Sequence, residues 1–166
     1  MRIIIAILCT MIFQNSWGHG GENHSEEKTA SPAVHNQIVS SNKNLENIYK
    51  TINTNYKKRV KPIFEKSCFD CHSGETNYPW YYKIPGIKQL IDSDIKEAKV
   101  HLDFSNDFPF LSHETPIKDL KSIFNSLEEE RMPPQRYLWF HGENNLTEKE
   151  FKEVKRWISE SLEAME

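Results

Sequence analysis

Cys68-Phe69-Asp70-Cys71-His72 is the stretch of this chain whose residue types and spacing can do chemistry. Two thiols three positions apart, followed at once by an imidazole, have the C-x-x-C-H spacing of covalent haem attachment. The thiols add to the two vinyl groups, and the histidine then lies under the iron as its proximal ligand. Met132, within Arg131-Met132-Pro133-Pro134, stands sixty residues after His72 and offers a thioether as the distal ligand. A bare C-x-x-C has other uses: half of a zinc site, a thioredoxin-like dithiol, or a disulfide. A zinc site needs further Cys or His at short spacing, and the chain has no second C-x-x-C. A thioredoxin-like pair belongs near a βαβ pattern, whereas the flanking segments read as helical. The expected cofactor is one covalent haem c per chain. Cys68 and Cys71 hold its porphyrin, and His72 and Met132 hold its iron.

Met132 is favoured on physical grounds. It follows a helical segment and precedes two prolines, which fix backbone angles and hold a thioether with little entropy lost. The other methionine beyond the N-terminal segment, Met165, lies at the C-terminus. His/Met ligation raises the reduction potential. His101, His113 and His141 are competing distal ligands and would give a bis-histidine iron of lower potential.

The compartment reading is independent of the motif. Met1-Arg2 is a short positive start, Ile3 to Phe13 is an apolar run broken by Cys9 and Thr10, and Ser16-Trp17-Gly18 places small residues for cleavage. That order describes a secretory signal peptide over residues 1–18. The run is short of the roughly 20 apolar residues that span a bilayer, so no membrane span is expected after cleavage. Cleavage leaves Cys68 and Cys71 as the remaining thiols and, by removing Arg2, takes the net charge from −3 to −4. Mild acidity gives no support for nucleic-acid binding. Export fits haem attachment outside the cytoplasm, so a periplasmic location is expected, with the c-type haem maturation machinery as a partner.

Residues 19–43 are rich in Ser, Asn, Glu and His, including His19, His24 and His35, and read as a flexible linker. The folded domain is expected over residues 44–166. Leu45, Ile48, Tyr49, Ile52, Tyr56 and Val60 recur at helical spacing. Pro62 can open a further turn that runs into Cys68. Lys57, Lys58, Arg59, Lys61 and Lys66 make this region basic, read as a solvated face in preference to a docking patch. Gly74, Pro79, Pro85 and Gly86 predict a loop that carries Tyr78, Trp80, Tyr81 and Tyr82, either a wall along the haem plane or a lid on the core. Ile87, Leu90, Ile91, Ile95, Ala98 and Leu102 form another helical stripe. Thr115-Pro116 starts a helix with Ile117, Leu120, Ile123, Phe124 and Leu127 on one face. Thr147-x-x-Glu150 is a capping box before Phe151, Val154, Trp157, Ile158 and Leu162. No alternating strand pattern appears, which predicts an all-α domain.

From Val60 to Ile158 the chain resembles the bacterial haem-binding domain family of small exported c-type cytochromes. The resemblance rests on Val60-Lys61-Pro62-Ile63, Cys68-Phe69-Asp70-Cys71-His72-Ser73, Thr76-Asn77-Tyr78-Pro79-Trp80-Tyr81, Leu102-Asp103-Phe104-Ser105, Met132-Pro133-Pro134, Tyr137, His141 and the segment from Leu146 to Trp157. It implies a cytochrome-c-like helical fold around one covalent haem, with His72 proximal and Met132 distal. Where the family often has Gly-Arg before the Leu-Asn-Phe-Ser-like stretch, this chain has Ala98-Lys99, and Asp103 replaces Asn. A lysine can pair with a haem propionate only as a point charge, without the arginine fork.

The expected function is periplasmic electron transfer by a mono-haem cytochrome that is not itself an enzyme, with redox proteins of unknown identity as partners. The alternatives are a haem-based ligand sensor, or a peroxidase-like enzyme with an open or displaceable distal ligand. A di-haem peroxidase needs a second attachment motif, which this sequence lacks.

Overall fold

The computed structural model describes residues 32–166, with side chains from Ser40 onward. The expected signal segment 1–18, and His19 and His24 of the expected linker, lie outside the described residues, as does the side chain of His35. Helix α1 spans Pro32–Asn55 and passes through a π-helical turn, Tyr56–Val60, into α2, Lys61–Ser67. Helical backbone therefore reaches back into residues 32–43, where composition reads as a linker. From Ser40 to Asn47 that helix is exposed on all sides, and its first buried residue is Ile52. Over Ser40 to Asn47 the low apolar content is matched by exposure of a segment that is nonetheless helical.

The π turn has a packing reason. Ile52, Tyr56, Val60 and Phe64 recur every four residues, and all are buried. On an ideal α-helix such a row drifts by about 40° per step. The wider π turn absorbs the drift and keeps the row facing the core. Pro62 sits in the first turn of α2, where its missing N–H costs nothing.

Helix α3, Phe69–His72, follows a break at Cys68, and a 3₁₀ turn, Trp80–Lys83, leads to α4, Ile87–His101. Helix α5, Pro116–Glu128, starts at Thr115, whose side chain accepts from the Lys118 N–H. Helix α6, Gln135–Leu138, and a 3₁₀ turn, Gly142–Asn144, precede α7, Glu148–Met165. Thr147 and Glu150 form the expected capping box at the start of α7. The fold is all-α, and no strand forms among the described residues.

The core joins the row on α1 and α2 to Leu120, Ile123 and Leu127 of α5 and to Val154, Trp157 and Ile158 of α7. Phe104, Phe108 and Phe110 complete it from a loop. Asp103 and Leu111 close that loop with two backbone hydrogen bonds of 2.8 and 3.1 Å. Of the stripe expected here, Leu102, just past the end of α4, joins this core, and the residues on α4 itself do not. None of the described residues of α4 is buried, and Ile87 and Leu90 are exposed.

Candidate functional site

The attachment motif is built on a broken helix. At Cys68 the backbone leaves α-helical geometry, with φ −126° and ψ −33°, and α3 restarts at Phe69. The Cys68 carbonyl accepts from the N–H groups of Cys71 and His72, at 3.2 and 3.0 Å. Both thiols and the imidazole are thus carried on one turn, as the spacing predicts. Both cysteines are free. Burial pushes the Cys68 thiol up to about 12 and the Cys71 thiol up to about 11, the neighbouring Cys71 and Asp70 charges adding to it. Among the described residues, no group of three or more His, Cys, Asp or Glu is placed to hold a metal ion.

Leu102-Asp103-Phe104-Ser105 cradles the histidine. The Leu102 carbonyl lies 2.8 Å from His72 Nδ1. A carbonyl can only accept, so Nδ1 carries the proton and Nε2 carries the lone pair that binds a metal. Burial pushes the His72 pKa down, opposed by the Leu102 carbonyl and by Asp103, and this favours the neutral ring a ligand must be. The Phe104 N–H donates to the His72 carbonyl at 2.6 Å, and the two rings lie 5.4 Å apart. Ser105 Oγ accepts from the Gly74 N–H and donates to Asp103. Lys99 lies 3.6 Å from Asp103, so that ammonium is engaged within the cradle.

A second layer holds the turn from the other side. Asp70 Oδ2 accepts from the Tyr137 hydroxyl at 2.7 Å, and Arg136 donates to Asp94 of α4 at 2.7 Å. Asp94 and Arg136 both act electrostatically on Cys71, Asp94 raising and Arg136 lowering its pKa. Sequence reasoning did not identify Asp70, Tyr137 or Asn144 as structural partners of the motif. The in-order recurrence of Asp70 and Tyr137 in the resemblance was the available signal.

Met132 is 41% exposed, in the loop between α5 and α6. With Leu127, Leu138, Leu146 and Phe151 it lines a cavity of about 330 Å³, whose lining includes none of Cys68, Cys71 and His72. Of the competing histidines, His141 Nε2 lies 2.7 Å from the Tyr81 hydroxyl and its ring stacks on Tyr137 at 4.5 Å. His113 Nδ1 donates to the Val100 carbonyl at 3.1 Å, and the His101 and His113 rings are 6.2 Å apart.

The residues fit a haem. The donor set is two free thiols and an oriented neutral imidazole. Large apolar side chains are left uncovered in two segments of the chain: Tyr78, Trp80, Ile84, Ile87 and Leu90 in the first, and Met132, Trp139 and Phe140 in the second. Exposed apolar surface on this scale marks a place that something covers. The aromatics of residues 78–82 are therefore not a lid on the core. The basic stretch is largely neutralised. Lys57 and Lys61 pair with Asp107, Arg59 with Glu153 and Glu160, and Lys66 with Glu150. This fits a solvated, ion-paired face and not a docking patch.

The family model described as a haem-binding domain matches residues 31–160. Cytochrome c peroxidase Ccp of Escherichia coli (strain K12) is 35% identical over 97 residues, covering 57% of this chain and 21% of the relative. The chain thus spans about a fifth of that relative's length. No solved structure matches. The expectation that the chain is not an enzyme is corrected here, because the protein it is similar to is named as a peroxidase. Among the described residues, no helix is long and apolar enough to cross a membrane.

Proposed function

This chain belongs to the haem-binding domain family, and from that premise we propose that it is a mono-haem c-type module that transfers electrons in the service of peroxidase chemistry. The observation that carries the reading is the His72 cradle: an imidazole held by Leu102 beside two free thiols on one turn. Cys68 and Cys71 would form the thioether bonds, His72 Nε2 the proximal bond and Met132 the distal bond. When bound, haem supplies an iron that gains and loses one electron. The chain's part is to fix the imidazole tautomer, exclude water with the core aromatics Phe69 and Phe104, and keep both axial side chains in place. Haem attachment outside the cytoplasm makes the exported, periplasmic location part of the same proposal. The similarity to one fifth of a protein named as a cytochrome c peroxidase supports a module that takes part in peroxidase chemistry.

The test is spectroscopic. The chain is expressed with its N-terminal segment in a host that matures c-type haem. A denaturing gel is stained for covalent haem, and oxidised and reduced spectra are recorded. Covalent haem, a low-spin spectrum and a near-infrared methionine-to-iron charge-transfer band are expected. Met132→Ala should abolish that band and lower the reduction potential. A Cys68→Ala/Cys71→Ala chain that still carries covalent haem would sink the attachment claim. A high-spin spectrum would mean an open iron and would replace electron transfer with ligand binding or catalysis.

A further inference from the structure

Asp70 occupies one of the two positions of C-x-x-C-H that the attachment chemistry leaves unspecified, yet three hydrogen bonds engage it, two of them on its carboxylate. Its backbone carbonyl accepts from Thr76 Oγ1 at 2.9 Å. One carboxylate oxygen accepts from the Asn77 N–H at 2.9 Å, and the other accepts from the Tyr137 hydroxyl at 2.7 Å. Asn144 Nδ2 in turn donates to the Tyr137 oxygen, and the Tyr137 ring lies flat on His141. Asp70 makes no ion pair among the contacts described, so hydrogen bonds hold its charge.

The chain around Met132 gives these bonds a purpose. Upstream, the Arg131 N–H donates to the Ser126 carbonyl of α5 at 2.9 Å. Downstream, Pro133 and Pro134 stiffen the backbone up to α6, and the Tyr137 N–H closes back on the Pro134 carbonyl at 2.9 Å. Arg136 then pairs with Asp94 of α4, and Tyr137, next to it, is fixed to the Cys68–His72 turn itself.

We propose that the Asp70–Tyr137 hydrogen bond is the strut that sets Met132 against His72, making Asp70 and Tyr137 positioning residues for the distal ligand. This rests on the reading of Met132 as that ligand. The bond joins the element that carries the proximal ligand to the element that carries the distal one. Breaking it leaves both ligands intact and loosens the distance between them. A hydrogen bond to a charged acceptor is of the strength whose loss shifts an equilibrium by about tenfold or more. The equilibrium shifted here is between methionine bound and methionine released.

The test uses the full chain with its haem, in wild-type, Tyr137→Phe, Asp70→Asn and Met132→Ala forms. Tyr137→Phe keeps the ring and its stack on His141 and removes one hydroxyl. Imidazole is titrated against the oxidised protein, and the methionine charge-transfer band and far-UV circular dichroism are followed. Tyr137→Phe and Asp70→Asn are expected to keep wild-type helicity and covalent haem, to weaken the band, and to bind imidazole about tenfold or more tightly. If wild type and Tyr137→Phe bind imidazole equally and show equal bands, the strut is refuted while Met132 stands as ligand. If the wild type lacks the band and Met132→Ala changes nothing, the distal reading itself fails and the strut with it. Should Asp70→Asn fail to fold, the Tyr137→Phe result decides alone.

Discussion

Tyr56 carries a polar atom that the core does not use. Its ring is fully buried and packs edge-on against Phe64 and Phe110, with Trp157 at 5.6 Å. The hydroxyl has no partner among the described residues, and burial pushes its pKa far above the ordinary value. An unmet buried hydroxyl costs about 1–3 kcal/mol. Tyr56→Phe is therefore expected to leave stability unchanged or to raise it by up to about 2 kcal/mol, measured by urea unfolding. A loss above about 1 kcal/mol would show that the hydroxyl bonds something in solution. Tyr56→Ala removes the ring as well and should cost about 3–5 kcal/mol, the usual range for emptying an aromatic site in a core.

Asp107 shows the same logic between elements. It tethers the 103–111 loop to the π turn and α2 through Lys57 and Lys61, at 2.7 and 3.0 Å. The Lys57 and Lys61 ammonium groups hold its carboxyl below the ordinary 3.8 against the opposing effect of burial. A carboxyl lowered on folding stabilises the fold above its unfolded value, and that support is lost as pH falls through the lower folded value. Asp107→Asn should therefore weaken the protein at neutral pH and flatten its acid decline. Both lysines are partly exposed, so the effect at neutral pH should stay within about 1 kcal/mol. Unfolding curves at pH 7 and pH 3 for both proteins check this; parallel losses at the two pH values would refute it. The elements themselves were legible wherever the signal is local. Pro62, Thr115-Pro116 and Thr147-x-x-Glu150 start their helices where the sequence places them, because caps act within one turn. Phe108 and Phe110 were missed as core residues because they lie in no periodic segment. Their burial depends on the long-range pairing of Asp103 with Leu111 and on the α1–α7 wall they fill. The stripe over Ile87 to Leu102 correctly predicts a helix, but helical spacing reveals an apolar face and not what covers it.

At the scale of the molecule, a helical protein core built by α1, α2, α5 and α7 stands beside a thinner region of α3, α4 and α6. The first region is filled by its own side chains. The second leaves Trp80, Trp139, Phe140 and Met132 in solvent. The motif Cys68-Phe69-Asp70-Cys71-His72 was readable as a candidate site because its five residues are contiguous and their spacing is distinctive. Its support was not, because hydrogen bonds from Leu102, Phe104 and Tyr137 reach it from 30 to 67 positions away. Ligand-free protein is expected to bind a fluorescent apolar dye through this second region, and haem loading should suppress that binding. Equal dye binding before and after loading would place the uncovered side chains elsewhere than on the haem.

The Leu102–His72 bond also has a consequence in time. Cys68, Cys71 and His72 leave the ribosome thirty residues ahead of the carbonyl that aims the ring. Aiming the histidine needs the chain through Phe104, whose N–H donates to the His72 carbonyl. On the function proposed above, making the thioethers and making the iron site would be separate events, the second belonging to folding. When full-length protein with its thioethers intact is diluted from denaturant, the ligated spectrum should return together with the far-UV signal. A spectrum that returned well ahead of the helices would mean that His72 finds its orientation without the cradle.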